Sequence, residues 1–385
     1  MIGRELEIGE VSGLIADDGV RGVVLSGKPG VGKSRLAREA VGWLADAGWD
    51  VRAVAATATS RAIPLGAFAQ WTGDVHDEPF VLVRRVVETV SADTRRERLV
   101  VIVDDGHLLD ELSAQVVHQL VHSEAAKVIL TIRDGEPAPA AVTSLWKDGL
   151  LCRREVEPLT RDEMDELMTA AVGGRPDQQC GQRLWRLTRG NVLFLRQLVE
   201  QERKAARLVV HNGALCWHGS GAISGSLADL VDAQIGAVPA DVRDVVDLVA
   251  VGEPLGWHCL RMLADPAAIE AAEQRDLVMT IGDDVLVGHP MYAEVRVNRC
   301  GPSRLRRLRG QIATAMKDGG RPADVMKRVC CGWTPTYHPS RTCCCRRLLL
   351  PVRSWISKRP SASSPRPPQP VSEPKRGYRS PTASS

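Results

Sequence analysis

The segment Gly27-Lys28-Pro29-Gly30-Val31-Gly32-Lys33-Ser34 has the spacing G-x-x-x-x-G-K-[ST]. Glycines at 27, 30 and 32 let a backbone wrap around an anion with its N–H groups turned inward, at the positive end of the helix that follows. Lys33 is the expected counter-ion for the β- and γ-phosphates of a nucleotide, and the Ser34 hydroxyl the expected Mg²⁺ ligand. Arg35, the next residue, completes the expected binding segment. A second candidate is LVVIVDDGHLLD, Leu99 to Asp110, an apolar run that delivers two acids together. Open parallel sheets bind ligands beyond the carboxyl ends of their strands. Asp104 is therefore read as a ligand of Mg²⁺, direct or one hydrogen bond removed, and Asp105 as the group that orients an attacking water. The alternative is turn and helix-cap chemistry, for which Asp-Asp is equally suited. In AKVILTIRD, Thr131 and Arg133 close another strand at the same edge, where a polar side chain can sense a terminal phosphate. Arg133 also fits a solvated loop charge. His289, in VGHPMY, stands alone before a proline, and on its chemistry reads as a surface or capping histidine.

These residues need a scaffold that brings them to one edge. Between Val20 and Val156 the chain alternates β-rich runs, RGVVLSG, WDVRAVAATA, RLVVIVDD, AKVILTIRD and LLCRREVEPL, with helical stretches. Such alternation predicts a parallel sheet covered by helices. In KSRLAREAVGWLADAG, Leu36, Ala37, Ala40, Val41 and Leu44 share one helical face and Gly48 is the stop. The glycine loop thus sits between a strand and a helix, the context its motif requires. The core is expected over residues 1–157. Residues 158–237 read as a helical lid, opened by Thr160 with Glu163 three positions on, the spacing of a capping box. Residues 238–300 read as helices followed by two short strands around Gly282-Asp283-Asp284, a winged-helix-like unit. Residues 301–329 are expected to begin a helical array. The fold class expected is α/β, a P-loop NTPase parallel sheet followed by lid, winged helix and tail.

Composition agrees with globular units: 385 residues, 44% apolar, exceed the ~250 residues at which single cores stop growing. The opening MIGRELEIGE lacks the basic start and apolar run of a signal peptide, and no run of about 20 apolar residues follows. A cytoplasmic protein with no membrane partner is expected. Cys152, Cys180, Cys216, Cys259 and Cys300 are scattered like small buried hydrophobes of a reducing compartment.

Taken together, GKPGVGKSRLAREA, ATATSRAIPLGAFA, VVIVDDGHLLD, TIRDGEPAPAAVTSLWKDGL and RGNVLFLRQLVE resemble the nucleotide-binding region of large actinobacterial LuxR-type transcriptional regulators that carry an AAA-like, STAND-class ATPase. The resemblance runs from about Arg4 to Lys327. It implies a slow switch, held closed by ADP and opened by ATP with an inducer, whose C-terminal helix-turn-helix binds DNA. It makes residues 27–34 the Walker A loop, Asp104 and Asp105 the Walker B acids and Arg133 the sensor. Gly3-Arg4-Glu5 matches the family's opening near the adenine, and His289 the winged-helix histidine that touches the nucleotide. ATP or ADP and Mg²⁺ are the implied cofactors, with an unknown inducer or protein partner and ATP-dependent self-association. Where the family has Gly-Asn-Pro, this chain has Gly190-Asn191-Val192, which bears on the lid contact there.

Beyond Lys327 the sequence neither continues as a helical array nor reaches a helix-turn-helix. Residues 330–385 hold ten Lys and Arg against the single acid Glu373, and Pro and Ser make up 20 of these 56 residues. Neighbouring Cys343, Cys344 and Cys345 diverge, unlike the spaced pairs that hold zinc. Read one base out of frame from high-GC codons, the same stretch becomes leucine- and alanine-rich. The tail is therefore expected to be disordered and frameshifted from near Val329, in a regulator truncated before its DNA-binding unit. The competing readings are a stand-alone ATPase or signalling adaptor that never contacts DNA, and a non-functional gene remnant.

Overall fold

The computed structural model describes residues 3–72, 78–92, 98–219, 224–236 and 238–318. Residues 319–329 of the expected array and the 330–385 tail, with its expected disorder and frameshift, lie outside these residues.

Five strands form the first sheet: β1 (Gly22–Ser26), β2 (Asp50–Ala55), β3 (Leu99–Asp104), β4 (Lys127–Thr131) and β5 (Cys152–Glu155), each close to a run expected from the sequence. All four pairings are parallel and the order is β2-β3-β4-β1-β5. The strand alternation sends Val23, Leu25 and Ile129 to one face and Val24, Val101 and Leu130 to the other. The first face is covered by α1 (Glu5–Ala16) and α2 (Lys33–Asp46), the second by α3 (Pro79–Val90), α4 (Glu111–His122) and α5 (Ala140–Lys147). Burial on both faces explains why β1, β3 and β4 are nearly unbroken Val, Ile and Leu. The edge strands β2 and β5 carry Arg52, Arg153 and Arg154 instead, as solvent-facing edges do. Helix α2 buries the stripe Leu36, Ala37, Ala40, Val41 and Leu44, as the periodicity requires.

The next segment comprises α6 (Arg161–Val172), β6 (Arg175–Pro176), α7 (Gln178–Thr188), α8 (Val192–Lys204), β7 (Leu208–His211), β8 (Ala214–Trp217) and α9 (Gly225–Ile235). The Thr160–Glu163 capping box is formed at α6. The lid is not purely helical, however, because β6, β8 and β7 make a second sheet. Its hairpin turns on Asn212 and Gly213, at φ 49° and 77°, the conformation of a type I′ turn. LVVHNGALCW carries that signal openly, two β-rich runs around Asn-Gly, and a reading by helical periodicity passes over it.

The third unit runs α10 (Ala240–Gly252), β9 (Leu255–Gly256), α11 (Trp257–Leu263), α12 (Pro266–Gln274), β10 (Val278–Ile281) and β11 (Asp284–Val287). Its antiparallel sheet has the order β10-β11-β9, which completes a winged helix. The β10–β11 turn is Gly282-Asp283, and Asp284 already pairs with Ile281. Helices α13 (Pro290–Arg299) and α14 (Pro302–Asp318) follow. They are tied to α10 through Asp247, fully buried, which accepts from Arg296 and Arg304 at 2.7 Å each.

Candidate nucleotide site

The loop between β1 and α2 is built from close approaches that only some residues permit. A Cβ on Gly27 would lie 2.5 Å from the Val156 carbonyl, so the loop can leave the sheet there only as glycine. Gly30 and Gly32 have φ of 82° and 107°, a region that side chains oppose. Val31 is buried among Val23, Leu36 and Val156 and anchors the loop from below. Lys33, the first residue of α2, is buried and folds back: its Nζ donates to the Gly27 and Lys28 carbonyls at 2.6 and 2.9 Å. Burial pushes its ammonium down to about 8, and the nearby Asp105 carboxylate opposes the shift.

Across from the loop, β3 and β4 end side by side. Ser34 Oγ donates to Asp104 Oδ1 at 2.6 Å, and so does Thr131 Oγ1 at 2.6 Å. Thr131, fully buried, also accepts the Asp105 N–H at 2.8 Å. Asp105 sits at φ 53°, and its carboxylate lies 3.5 Å from Arg133 Nε and 3.9 Å from His107 Nδ1. His107 is 2% exposed and its Nδ1 has no hydrogen-bond partner; burial, opposed by Asp105, holds its pKa below the usual value. Loop, acids and Arg133 thus converge on the carboxyl edge of β1, β3 and β4. A glycine loop between β1 and the helix that follows it, in a parallel sheet ordered β2-β3-β4-β1-β5 with acids ending β3, decides the fold. The chain has a P-loop NTPase core.

The other expected residues are placed as follows. Arg35 is exposed and its side chain pairs with Glu39 one turn along α2, so any phosphate contact from this position falls to its backbone. Arg4 is buried and bonds the Glu157 carbonyl and the Glu7 carboxylate, stitching α1 to the segment that leaves β5. His289 lies at the junction of lid and winged helix. Its Nδ1 accepts the Met291 N–H at 3.1 Å and caps α13, which puts the ring proton on Nε2, 3.0 Å from the Thr188 carbonyl. The ring packs 4.9 Å from Phe194 and 5.5 Å from Tyr292. Burial lowers its pKa to about 4, so it is neutral. Both ring nitrogens are committed, and a contact with nucleotide would require one of these bonds to be given up.

The sequence left the lid's grip on the loop open, and the structure supplies it. Asn191 Nδ2 donates to the Pro29 carbonyl at 2.8 Å, and the Leu193 N–H to the Gly30 carbonyl at 3.1 Å. Neither bond uses the side chain of Val192. From the winged helix, Asp276 meets Lys28 Nζ at 3.1 Å. Consecutive loop residues 28, 29 and 30 are therefore held by both following units.

The donor set at Ser34 and Asp104 is hard oxygen, the chemistry Mg²⁺ takes, and Mg²⁺ sites on phosphates need few protein ligands. The residues present fit that ion.

No protein-family model matches the chain, and no curated protein matches it. Among solved structures it is similar to a signal transduction ATPase with numerous domains (STAND), with a tetratricopeptide repeat sensor, from Pyrococcus horikoshii, at 13% identity and TM-score 0.38 over 92% of this chain and 50% of that one. A Walker-type ATPase of Pyrococcus abyssi matches at 14% identity and TM-score 0.48, over 77% of this chain and 96% of its own. The Holliday junction branch migration motor RuvB of Thermotoga maritima matches at 12% and 0.40, over 74% and 92%. The chain spans half the length of the first of these.

Proposed function

We propose that the chain is an ATP- and ADP-binding switch module that uses Mg²⁺ and hydrolyses ATP slowly. The observation that carries this reading is the shared junction at residues 28–30, where the phosphate loop is held by the lid through Asn191 and Leu193 and by the winged helix through Asp276. A loop bonded to two neighbouring units can pass its occupancy on to their positions.

On binding, Lys33 exchanges the Gly27 and Lys28 carbonyls for phosphate oxygens. Mg²⁺, when bound, would supply charge neutralisation to the phosphates. Ser34 and Asp104 would hold it, and Thr131 fixes the Asp104 carboxylate from β4. Asp105 orients water toward the terminal phosphate, with Arg133 supplying positive charge beside it. Arg4 bounds the adenine side, and His289 serves as the latch between lid and winged helix, capping α13 and holding Thr188.

The resemblance of GKPGVGKSRLAREA, VVIVDDGHLLD and RGNVLFLRQLVE to LuxR-type regulators supports the reading that this switch acts upstream of transcription, with an inducer or protein partner and ATP-dependent self-association. One feature favours the second reading, a module that signals to proteins without touching DNA. Helix α12 occupies the position of a recognition helix, yet PAAIEAAEQ carries Glu270 and Glu273 and no cation. Nucleotide released from the denatured, purified protein tests the first claim: stoichiometric ADP or ATP supports it, and none after incubation with Mg²⁺-ADP refutes it. A promoter fragment and a scrambled duplex, compared across a salt series, separate the two contexts. A preference above about tenfold at physiological salt would show base reading.

A further inference from the structure

The two lid bonds fall on carbonyls of consecutive peptide units, and this has a geometric result. In a planar trans peptide the N–H points opposite to the C=O. With the Pro29 carbonyl held by Asn191 and the Gly30 carbonyl by the Leu193 N–H, the amides of Gly30 and Val31 are turned away from the lid, free to serve as the inward donors with which a glycine-rich loop wraps an anion. Asn191 governs both. Its Nδ2 holds the first carbonyl directly. Its Oδ1 caps α8, accepting from Leu193 N at 3.1 Å and Phe194 N at 3.2 Å, and so places the Leu193 amide that holds the second. Asn191 is itself 6% exposed. The contact also gives position 30 a steric reason beyond its φ of 82°, since a Cβ there would stand 2.5 Å from Asn191 Oδ1.

We propose that Asn191 is a positioning residue for phosphate binding: it sets two of the loop's amide donors from the lid, so that affinity for the phosphates depends on docking of α8. The proposal rests on the nucleotide reading above and deepens it. A residue that only capped α8 would leave phosphate affinity unchanged as long as the cap survived.

The test uses the full chain, with Mg²⁺-ADP and pyrophosphate as probes in calorimetric titrations and the melting temperature of the unliganded protein as a second readout. Asn191→Asp keeps a side-chain acceptor that caps as well as the amide does, but cannot donate to Pro29. Asn191→Ala removes cap and donor together and, being neutral, controls for the charge of Asp. Both variants should lose about tenfold in affinity for ADP, the effect of one lost hydrogen bond with its carbonyl left unpaired, equivalent to ~1.4 kcal/mol. Pyrophosphate should weaken by a similar factor, because the amides read phosphate rather than base. Only the alanine variant should melt clearly lower. Wild-type affinity in Asn191→Asp would make Asn191 a cap and nothing more. A loss confined to ADP would place its effect at the base. Both results overturn the proposal, whereas a wild-type protein that binds neither probe overturns the nucleotide reading itself.

Discussion

Ser34 Oγ donates to Asp104 Oδ1 across 2.6 Å, joining the first turn of α2 to the end of β3 although the residues are 70 apart in sequence. The bond points the hydroxyl proton at the carboxylate and leaves the serine oxygen's lone pairs for a cation. Thr131 holds the same carboxylate oxygen from β4, so the acid keeps one partner if Ser34 is removed.

Ser34→Ala should therefore leave the fold intact and abolish the benefit of Mg²⁺. ADP affinity of the variant in Mg²⁺ should fall to the value that wild type shows in EDTA. Titrations of both proteins in both buffers check this, and a variant that still gains from Mg²⁺ would move the ion elsewhere.

Asp105→Asn should separate chemistry from binding. The carboxylate lies beside Arg133 at 3.5 Å and makes no bond to the loop, so ADP affinity should stay within about threefold of wild type. Phosphate release from ATP should slow about 100-fold, the usual contribution of a positioned base. Equal loss of binding in Asp105→Asn and Lys33→Ala would mean that the two roles are not distinct.

Acid should loosen the latch at His289. Its folded pKa, about 4, lies below the unfolded value of 6.5 because burial disfavours the imidazolium. The unfolded chain then binds the extra proton first, so the stability it confers is complete above pH 6.5 and is lost as pH falls toward 4. The full effect is ~3 kcal/mol. Denaturant melts from pH 7.5 to 4.5 should show this slope in wild type, and His289→Gln should flatten it. An identical slope in the variant would assign the acid sensitivity to other groups.

Two glycines should respond oppositely to alanine. At Gly190 a Cβ would come within 2.0 Å of the Leu159 carbonyl, and φ is 77°, so Gly190→Ala should cost about 3 kcal/mol and weaken lid docking. Gly9, exposed within α1 with open space around its Cα, should gain about 1 kcal/mol as alanine. Thermal melts of the pair test whether the lid's entry is as tight as its geometry indicates.

What the sequence disclosed was local. Loop glycines, Lys33 and Ser34 lie within eight residues, and strand, loop and helix advertise one another, so β1, α2 and the glycine loop between them were legible together. The acids ending β3 were legible as types, but their partners were not. Thr131 reaches Asp104 from β4 only because β4 lies between β1 and β3, an order that no periodicity encodes. The lid hairpin was written in Asn212-Gly213 and went unread beside stronger helical signals. The lid contact seemed to hang on the residue at 192, whereas the structure makes it with Asn191 and a backbone amide. His289 showed its capping role through the following proline. Its burial depends on Phe194, Tyr292 and Thr188, two of which are distant in sequence and so invisible to local reading.

The nucleotide binding proposed for this loop depends on Lys33. Fluorescence titration of the full chain with a labelled ADP, in Mg²⁺, compared between wild type and Lys33→Ala, tests it most directly. Wild type should bind saturably and the variant should lose at least about tenfold, because a charged hydrogen-bonded counter-ion to the phosphates is removed. Equal affinity in the two proteins would contradict it.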